Sequence, residues 1–426
     1  MKRRLAALSL LLAPLAAGAA VLEAGAGGAH PTLRGAIAAA KPGDTVRVRS
    51  GTYREGQISV DKPLVLEGVG RPVLDGEFKH PILRVAANGV TVRGFRIING
   101  GRSSTQELAG VFVDQARDFV IEHNELRDCD YSIYLSKSGP GIVSENILHG
   151  LSDLEINSGN GIHLWSCKGV RVRGNRVTGH RDGIYLEHAS ASAMEENSVE
   201  NNMRYGLHFM FSNDSLYRAN RFTRNGAGVA VMYSRAVIMR DNVFDQNWGS
   251  SSYGLLIKDV TDSEVTGNLF DRNSTGLYSQ GATRVRYEGN HFRENGWALR
   301  IMSNGSSNRF TANTFTRNSF DVGTNGDLAD HEFARNYWDR YEGYDLRHDG
   351  TGDVPFRPVS LFAILTERVP ASLFLMHSFM VRLLDRAEKA FPSVTPDSVI
   401  DSTPAMRPHP PPTALIPASQ PTQHQP

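Results

Sequence analysis

Four residues carry the most chemistry in this chain: His163, His208, Met210 and Met232. Each falls at an alternate position of a short run opened by Gly, as in Gly161-Ile162-His163-Leu164 and Gly206-Leu207-His208-Phe209-Met210. Imidazole and thioether are donors that suit Cu(I) over zinc or calcium. His208 and Met210 are two residues apart and so share one face of a strand. Met232 repeats the place of Met210 one unit later, while His163 lies two units before His208. The four are the candidate metal ligands, for copper held transiently as Cu(I). The alternative is a dry docking face, because Met adapts well at interfaces.

The element that must position them is a repeat. Asn occurs at 124, 146, 175, 197, 220, 242, 268, 290, 313 and 336, with steps of 22, 29, 22, 23, 22, 26, 22, 23 and 23. Two or three short strands per unit of that length predict an all-β fold, a right-handed parallel β-helix of the pectin-lyase-like solenoid type. One unit cannot bury its own apolar face, so units must stack. An Asn at one corner of every coil can hydrogen-bond along the stack and satisfy the turn. The frame extends back to Val90–Ile97, with Gly94 in the Asn column. The long steps mark insertions near Leu151–Asn160 and Gly249–Tyr253, on the side where solenoids often bind.

Strand alternation then sorts the Gly-led run. Its first and third following residues, such as Ile184/Leu186 and Leu207/Phe209, face the core. The second and fourth face outward, and read Tyr134/Ser136, His163/Trp165, Tyr185/Glu187, His208/Met210 and Ala230/Met232. His188, Phe211 and Tyr233 continue this strip. A contiguous exposed aromatic, His and Met strip predicts a binding surface, with Trp165, Tyr185, Phe211 and Tyr233 as partner contacts.

The two ends differ in composition. Residues 1–25 are expected to be a signal peptide: Lys2-Arg3-Arg4, then an apolar stretch too short to span a bilayer, then small residues. Export follows, and a net charge of +1 gives no steering to nucleic acid or anionic membrane. Residues 26–80 form a cap and the first coils, with Pro31–Lys41 as a helix closing the open end. The β-helix proper takes 81–340. Cys129 and Cys167 are predicted to lie about a strand's length apart, roughly 20 Å, as isolated thiols. Residues 341–357 form a Gly/Asp-rich closing loop. Asp345, Asp349 and Asp353 resemble calcium ligands, but Arg347 interrupts the pattern and tight turns explain it equally well. Residues 358–391 read as apolar helices: Leu361–Thr366, then Ala371–Phe391 with Leu373, Met376, Met380, Leu383 and Leu384 at helical spacing. A helix apolar on most sides needs a surface, whether the solenoid end, a bilayer interface or a partner; docking to a partner is the reading adopted. Residues 392–426 read as a disordered Pro-rich tail.

Parallel β-helices often host polysaccharide lyases, hydrolases and epimerases, which need paired acid–base groups on one face. Glu187 with His188, near Asp182 and His180, is the best such set, so a polysaccharide-active enzyme is the alternative to a non-catalytic protein. Taken together, the chain resembles the NosD family over roughly Pro31 to Phe391. The stretches that carry this are Gly159–Trp165, Gly183–His188, Asn202–Ser212, Asn336–Asp345 and Gly350–Asp353. The resemblance implies a periplasmic accessory protein of an ABC transporter, docked on its membrane subunit. It would receive copper from a copper chaperone and pass it to nitrous oxide reductase as that enzyme's copper centres mature. No Gly-rich Lys-Ser/Thr loop occurs in the sequence, so ATP hydrolysis would fall to a separate ATPase subunit. Membrane contact would come only through the transporter or the C-terminal helix.

Overall fold

The computed structural model describes residues 19–103, 105–151, 158–302, 304–376, 378–390 and 398–411. The chain winds through three parallel sheets of 14, 13 and 12 strands. One coil illustrates the path: Val170–Arg173 in the first sheet, Arg176–Thr178 in the second, Ile184–Glu187 in the third. Each strand pairs with its counterparts one coil before and after, so the predicted parallel β-helix is the observed fold. Inward residues of the third sheet, such as Ile184, Leu186, Leu207 and Phe209, are fully buried. The core is threaded by an aromatic stack, Phe222–Phe244–Phe270–Phe292–Phe315–Trp338, with centroids 4.1–5.6 Å apart.

The Asn corner is a continuous hydrogen-bonded ladder. Asn220 is typical: its backbone N–H and its Nδ2 both donate to Asn242 Oδ1 at 3.0 Å, and Nδ2 also donates to Met194 O at 2.9 Å. The residue before each Asn takes the left-handed conformation, as at Glu196, Ala219 and Asp241. That conformation costs a non-Gly residue about 1–2 kcal/mol, which the ladder offsets at every turn. One frame assignment is corrected. Pairing of Arg96 with Glu125 and Arg93 with Glu122 puts Phe95, not Gly94, in the Asn column. Gly94 fills the left-handed position, at φ 78.

A second Asn ladder lies five residues further along each coil: Asn202, Asn225, Asn247, Asn273, Asn295 and Asn318. It holds the turn that leads into the third sheet. His180 stands in this column one coil earlier and donates its backbone N–H to Asn202 Oδ1 at 3.0 Å.

Both ends differ from expectation. At the start, Val21–Ala24 pairs in register with Thr45–Val48. These residues, expected in the leader, are the first rung of the solenoid; residues 1–18 lie outside the described residues. Helix α1 (Leu33–Ala39) is capped by the Thr32 hydroxyl and buries Leu33, Ala36 and Ile37. At the other end, the last strand is Tyr337–Trp338. Residues 398–411, expected as disordered tail, pack back onto the solenoid. Asp401 supplies the physical reason: its buried carboxylate accepts from Asn336 N, Asn336 Nδ2 and Trp338 Nε1 at 3.0–3.1 Å, taking the place of the next Asn. Residues 412–426 lie outside the described residues.

The C-terminal helices also depart from the sequence reading. Helix α2 (Leu361–Arg368) is followed by a 3-10 segment, Pro370–Leu375, and helix α3 begins only at Phe379, running to Ala390. Pro370 opens a tight turn rather than a long helix, and the Ser378 hydroxyl caps a fresh start by accepting the Val381 N–H. Met376, Val381 and Leu384 pack in one small cluster with Phe362 and Ala363 of α2 and Phe320 of the last coil. In the closing loop, Asp345 accepts the Asp349 and Gly350 N–H groups, and Asp353 accepts that of Leu346 and pairs with Arg347 at 3.1 Å. Those carboxylates serve their own turn.

Candidate functional site

Register in the third sheet aligns the chemistry-bearing side chains into two outward columns. The first runs Phe112, Tyr134, His163, Tyr185, His208, Ala230; the second runs Trp165, Glu187, Met210, Met232, Lys258. Parallel strands lie about 4.8 Å apart, and the rings of the first column follow one another at that spacing, with Tyr185 and His208 stacked. Centroids are 4.7 Å apart from Tyr134 to His163, 4.7 Å from His163 to Tyr185 and 4.6 Å from Tyr185 to His208.

This column is not the exposed strip that alternation predicts. Tyr134, His163, Tyr185 and His208 are only 6–9% exposed. Alternation says which side a residue faces, not what lies over it. Here each ring covers its neighbours, and residues entering the sheet lean across: Tyr131 lies 5.8 Å from His163, and Tyr205 4.9 Å from His208. The surface actually offered to solvent is the neighbouring part. Met210, Met232 and Trp165 are half-buried. Phe211 and Tyr233 are exposed and stack at 5.2 Å, with His188 on the other side of Phe211 at 5.2 Å. Lys258 sits 5.6 Å over Tyr233, and Lys137 5.2 Å over Trp165.

Of the four predicted ligands, three lie on the outer face of two adjacent strands. Met210 and Met232 are register partners on adjacent coils, and His208 shares the outward face of Met210's strand. The Tyr185 hydroxyl donates to Met210 Sδ at 3.6 Å. His163 is separated from His208 by the whole Tyr185 ring. Its Nδ1 lies 3.4 Å from Asn160 Nδ2 and its Nε2 3.8 Å from Glu187, so it is built into the ladder and apart from the other three. Two coils of stacked rings are too much for one small ion to bridge.

The buried polar groups show where the site is unfinished. Both ring nitrogens of His208 and Nε2 of His163 lack a hydrogen-bond partner of normal geometry. Such orphans are rare in folded proteins and call for an explanation. Burial pulls the His163 pKa down against the pull of Glu187, so this ring stays neutral. Asp182, fully buried in the turn before Tyr185, lies 3.5 Å from His208 Nδ1 and is gripped by both arms of Arg204. Burial pushes its carboxyl up, but His208 and Arg204 outweigh that and hold it at about 2. Sequence reasoning did not give Asp182 or Arg204 this role. The signal available was a charged pair, one coil apart, at the mouth of the His column.

The candidate acid–base set is dispersed. Glu187 pairs with His163, and His188 belongs to the exposed ring stack. His180 is buried against the Ser132 hydroxyl at 3.2 Å, its pKa pulled to about 3 by burial. Cys129 and Cys167 are free and buried, with burial pushing their thiols up to about 12 and about 11. Among the described residues no group of three or more His, Cys, Asp or Glu side chains is placed to hold a metal.

Of the predicted docking residues, Met376 and Leu384 pack into the small cluster formed by α2 and Phe320. Leu373, Met380 and Leu383 are exposed, with Phe374 (95% exposed) and Phe379 beside them. Among the described residues no helix is long and apolar enough to cross a membrane.

The family described as "Periplasmic copper-binding protein (NosD)" matches residues 149–343. A protein of Pseudomonas aeruginosa named probable ABC transporter binding protein NosD is 31% identical over 377 residues, covering 84% of this chain and 87% of its own length. A protein of the same name from Stutzerimonas stutzeri is 28% identical over 395 residues, covering 85% and 86%. Among solved structures, a GH87 α-1,3-glucanase from Streptomyces thermodiastaticus gives a TM-score of 0.53 at 15% identity over 68% of this chain and 61% of the enzyme. A family 28 exopolygalacturonase from Yersinia enterocolitica gives 0.52 at 12% identity, over 75% and 77%. At those identities the likeness carries the solenoid and no chemistry.

Proposed function

Because this chain belongs to the NosD family of periplasmic copper-binding proteins, we propose that it carries Cu(I) on His208, Met210 and Met232. It would work as a non-catalytic accessory protein of an ABC transporter, in the maturation of the copper centres of nitrous oxide reductase. Copper is cargo here, taken from a chaperone and passed on. The observation that supports this reading is His208, with both ring nitrogens lacking a hydrogen bond, on the same outer face as two half-buried thioethers in register. Thioether and neutral imidazole favour Cu(I) over harder ions. Three neutral donors without a thiolate suit release as well as capture. The exposed rings of Phe211 and Tyr233, with Trp165 two coils away, would form the dry surface on which donor and acceptor proteins dock.

Titration of the apo protein with Cu(I) against a competing chelator tests the site. The Met210→Ala/Met232→Ala double variant is expected to lose binding and reductase maturation together. Wild-type binding in that variant would reduce the face to a docking surface. Transporter docking is proposed through Leu373, Met380 and Leu383, the part of the C-terminal segment that the solenoid leaves uncovered. Met380→Asp with Leu383→Asp should abolish co-purification with the membrane subunit at an unchanged melting temperature. Retained co-purification would move the interface elsewhere.

A further inference from the structure

His163 and His208 occupy one column, yet their surroundings hold the ring proton on opposite nitrogens. The Asn160 amide is oriented by its oxygen, which accepts the Asp182 N–H at 3.3 Å. Its Nδ2 therefore faces His163 Nδ1 at 3.4 Å as a donor. That makes Nδ1 an acceptor and leaves the ring proton on Nε2, toward Glu187. Nδ1 of His163 is thereby occupied, and its Nε2 proton faces Glu187 at 3.8 Å.

His208 has the reverse arrangement. Its Nδ1 faces Asp182 Oδ2 at 3.5 Å, and an ionised carboxylate can only accept. Asp182 is itself rigidly placed. Arg204 Nε donates to Oδ1 at 2.9 Å and Nη2 to Oδ2 at 2.5 Å, and the Tyr205 N–H donates to Oδ1 at 3.3 Å. The ring proton is drawn to Nδ1, and the Nε2 lone pair stays free and without a partner. A distance of 3.5 Å is long for a hydrogen bond. A cation on Nε2 makes Nδ1–H more acidic and strengthens that bond, as carboxylates do behind metal-bound imidazoles.

We infer that Asp182, clamped by Arg204, is a positioning residue that fixes His208 in its Nδ1–H tautomer and so presents Nε2 as the imidazole donor to Cu(I). The inference rests on the copper reading above, and its test separates the two. Long-range proton–nitrogen NMR of the apo protein reports the His208 tautomer without any metal. In Asp182→Asn the amide oxygen stays with Arg204 and its NH2 turns to Nδ1, so the proton is expected on Nε2. Cu(I) affinity should fall together with that switch, by about 10–100-fold. Arg204→Lys keeps the charge but loses the fork, and should give the same two changes to a smaller degree; it carries the test if circular dichroism shows Asp182→Asn unfolded. An unchanged tautomer overturns the inference. So does a switched tautomer with wild-type Cu(I) affinity, provided Met210→Ala/Met232→Ala still loses binding. If that double variant also binds as wild type, the copper reading itself has failed.

Discussion

The Asn corner and the outer face of the third sheet are built by the same repeat and show opposite polar economies. At the corner, every Asn from 124 to 336 is 0–2% exposed and bonded to the rungs on both sides or to the groups that end the stack. On the third sheet, His163, His208, Arg300 and Asp321 each carry a buried polar atom without a partner. Under the proposed function, stability and binding fall to different parts of one coil. A closed ladder has nothing left to offer a ligand, whereas a face with unspent donors can gain from one.

The largest effect should come from breaking the closed side. Asn242→Ala removes the acceptor of Asn220 N and the donor to Tyr217 O. Two buried groups are orphaned at ~1–3 kcal/mol each, so the loss should be ~3 kcal/mol, read as a lower denaturation midpoint. An unchanged midpoint would mean that the ladder accompanies the fold without holding it.

Asp401→Ala attacks the same ladder at its last rung. It unpairs Asn336 N and Trp338 Nε1, but water can reach the open end once the tail loosens. The expected loss is smaller, ~2 kcal/mol, and protease should then cut within 398–411. Asp401→Asn, which keeps an oxygen acceptor, should restore most of it. Equal losses in the two variants would show that charge, not the rung, matters.

Asp321, on the last strand of the third sheet, tests the opposite side. Its Oδ2 has no hydrogen bond, Arg340 is 3.9 Å away, and burial pushes its pKa up to about 6. A raised carboxyl pKa means that the folded state holds the proton more tightly than the unfolded one, whose value is 3.8. Stability is therefore greatest below about pH 4 as far as this group is concerned, and is lost as pH rises through about 6. Asp321→Asn should add on the order of 2 kcal/mol at pH 7 and nothing at pH 4. Parallel pH profiles for variant and wild type would show that Arg340 already neutralises the site.

The sequence made these two regions legible to different depths. The first Asn column declares itself by spacing, and the fold follows from it. The second column has the same spacing and was hidden only because the first was already accounted for; the constant offset of five residues is its signature. Alternation put Tyr134, His163, Tyr185 and His208 on the outer side correctly, but cover by Tyr131 and Tyr205 is a tertiary fact with no period. The tail is harder still. Pro-rich composition describes the segment, yet a single Asp with four donors around it, Thr403 N among them, decides that it folds back. In the C-terminal segment, helical spacing could not show that Met376 and Leu384 face inward while Met380 and Leu383 do not.

The smallest expected effect sharpens the comparison most. His163 and His208 are equally buried, share a column and pack against the same Tyr185. Composition and burial alone would make them equivalent ligands. Their partners do not: Asn160 takes up Nδ1 of His163 and Glu187 faces its Nε2, while Nε2 of His208 has no partner. His163→Gln retains an amide that can accept from Asn160, so the ladder should stay standing. Its Cu(I) affinity should equal wild type, measured against the same chelator that registers the loss in Met210→Ala/Met232→Ala. A matching loss in His163→Gln would mean that copper enters the ladder two coils earlier. The column as a whole, rather than one end of it, would then be the path of the ion.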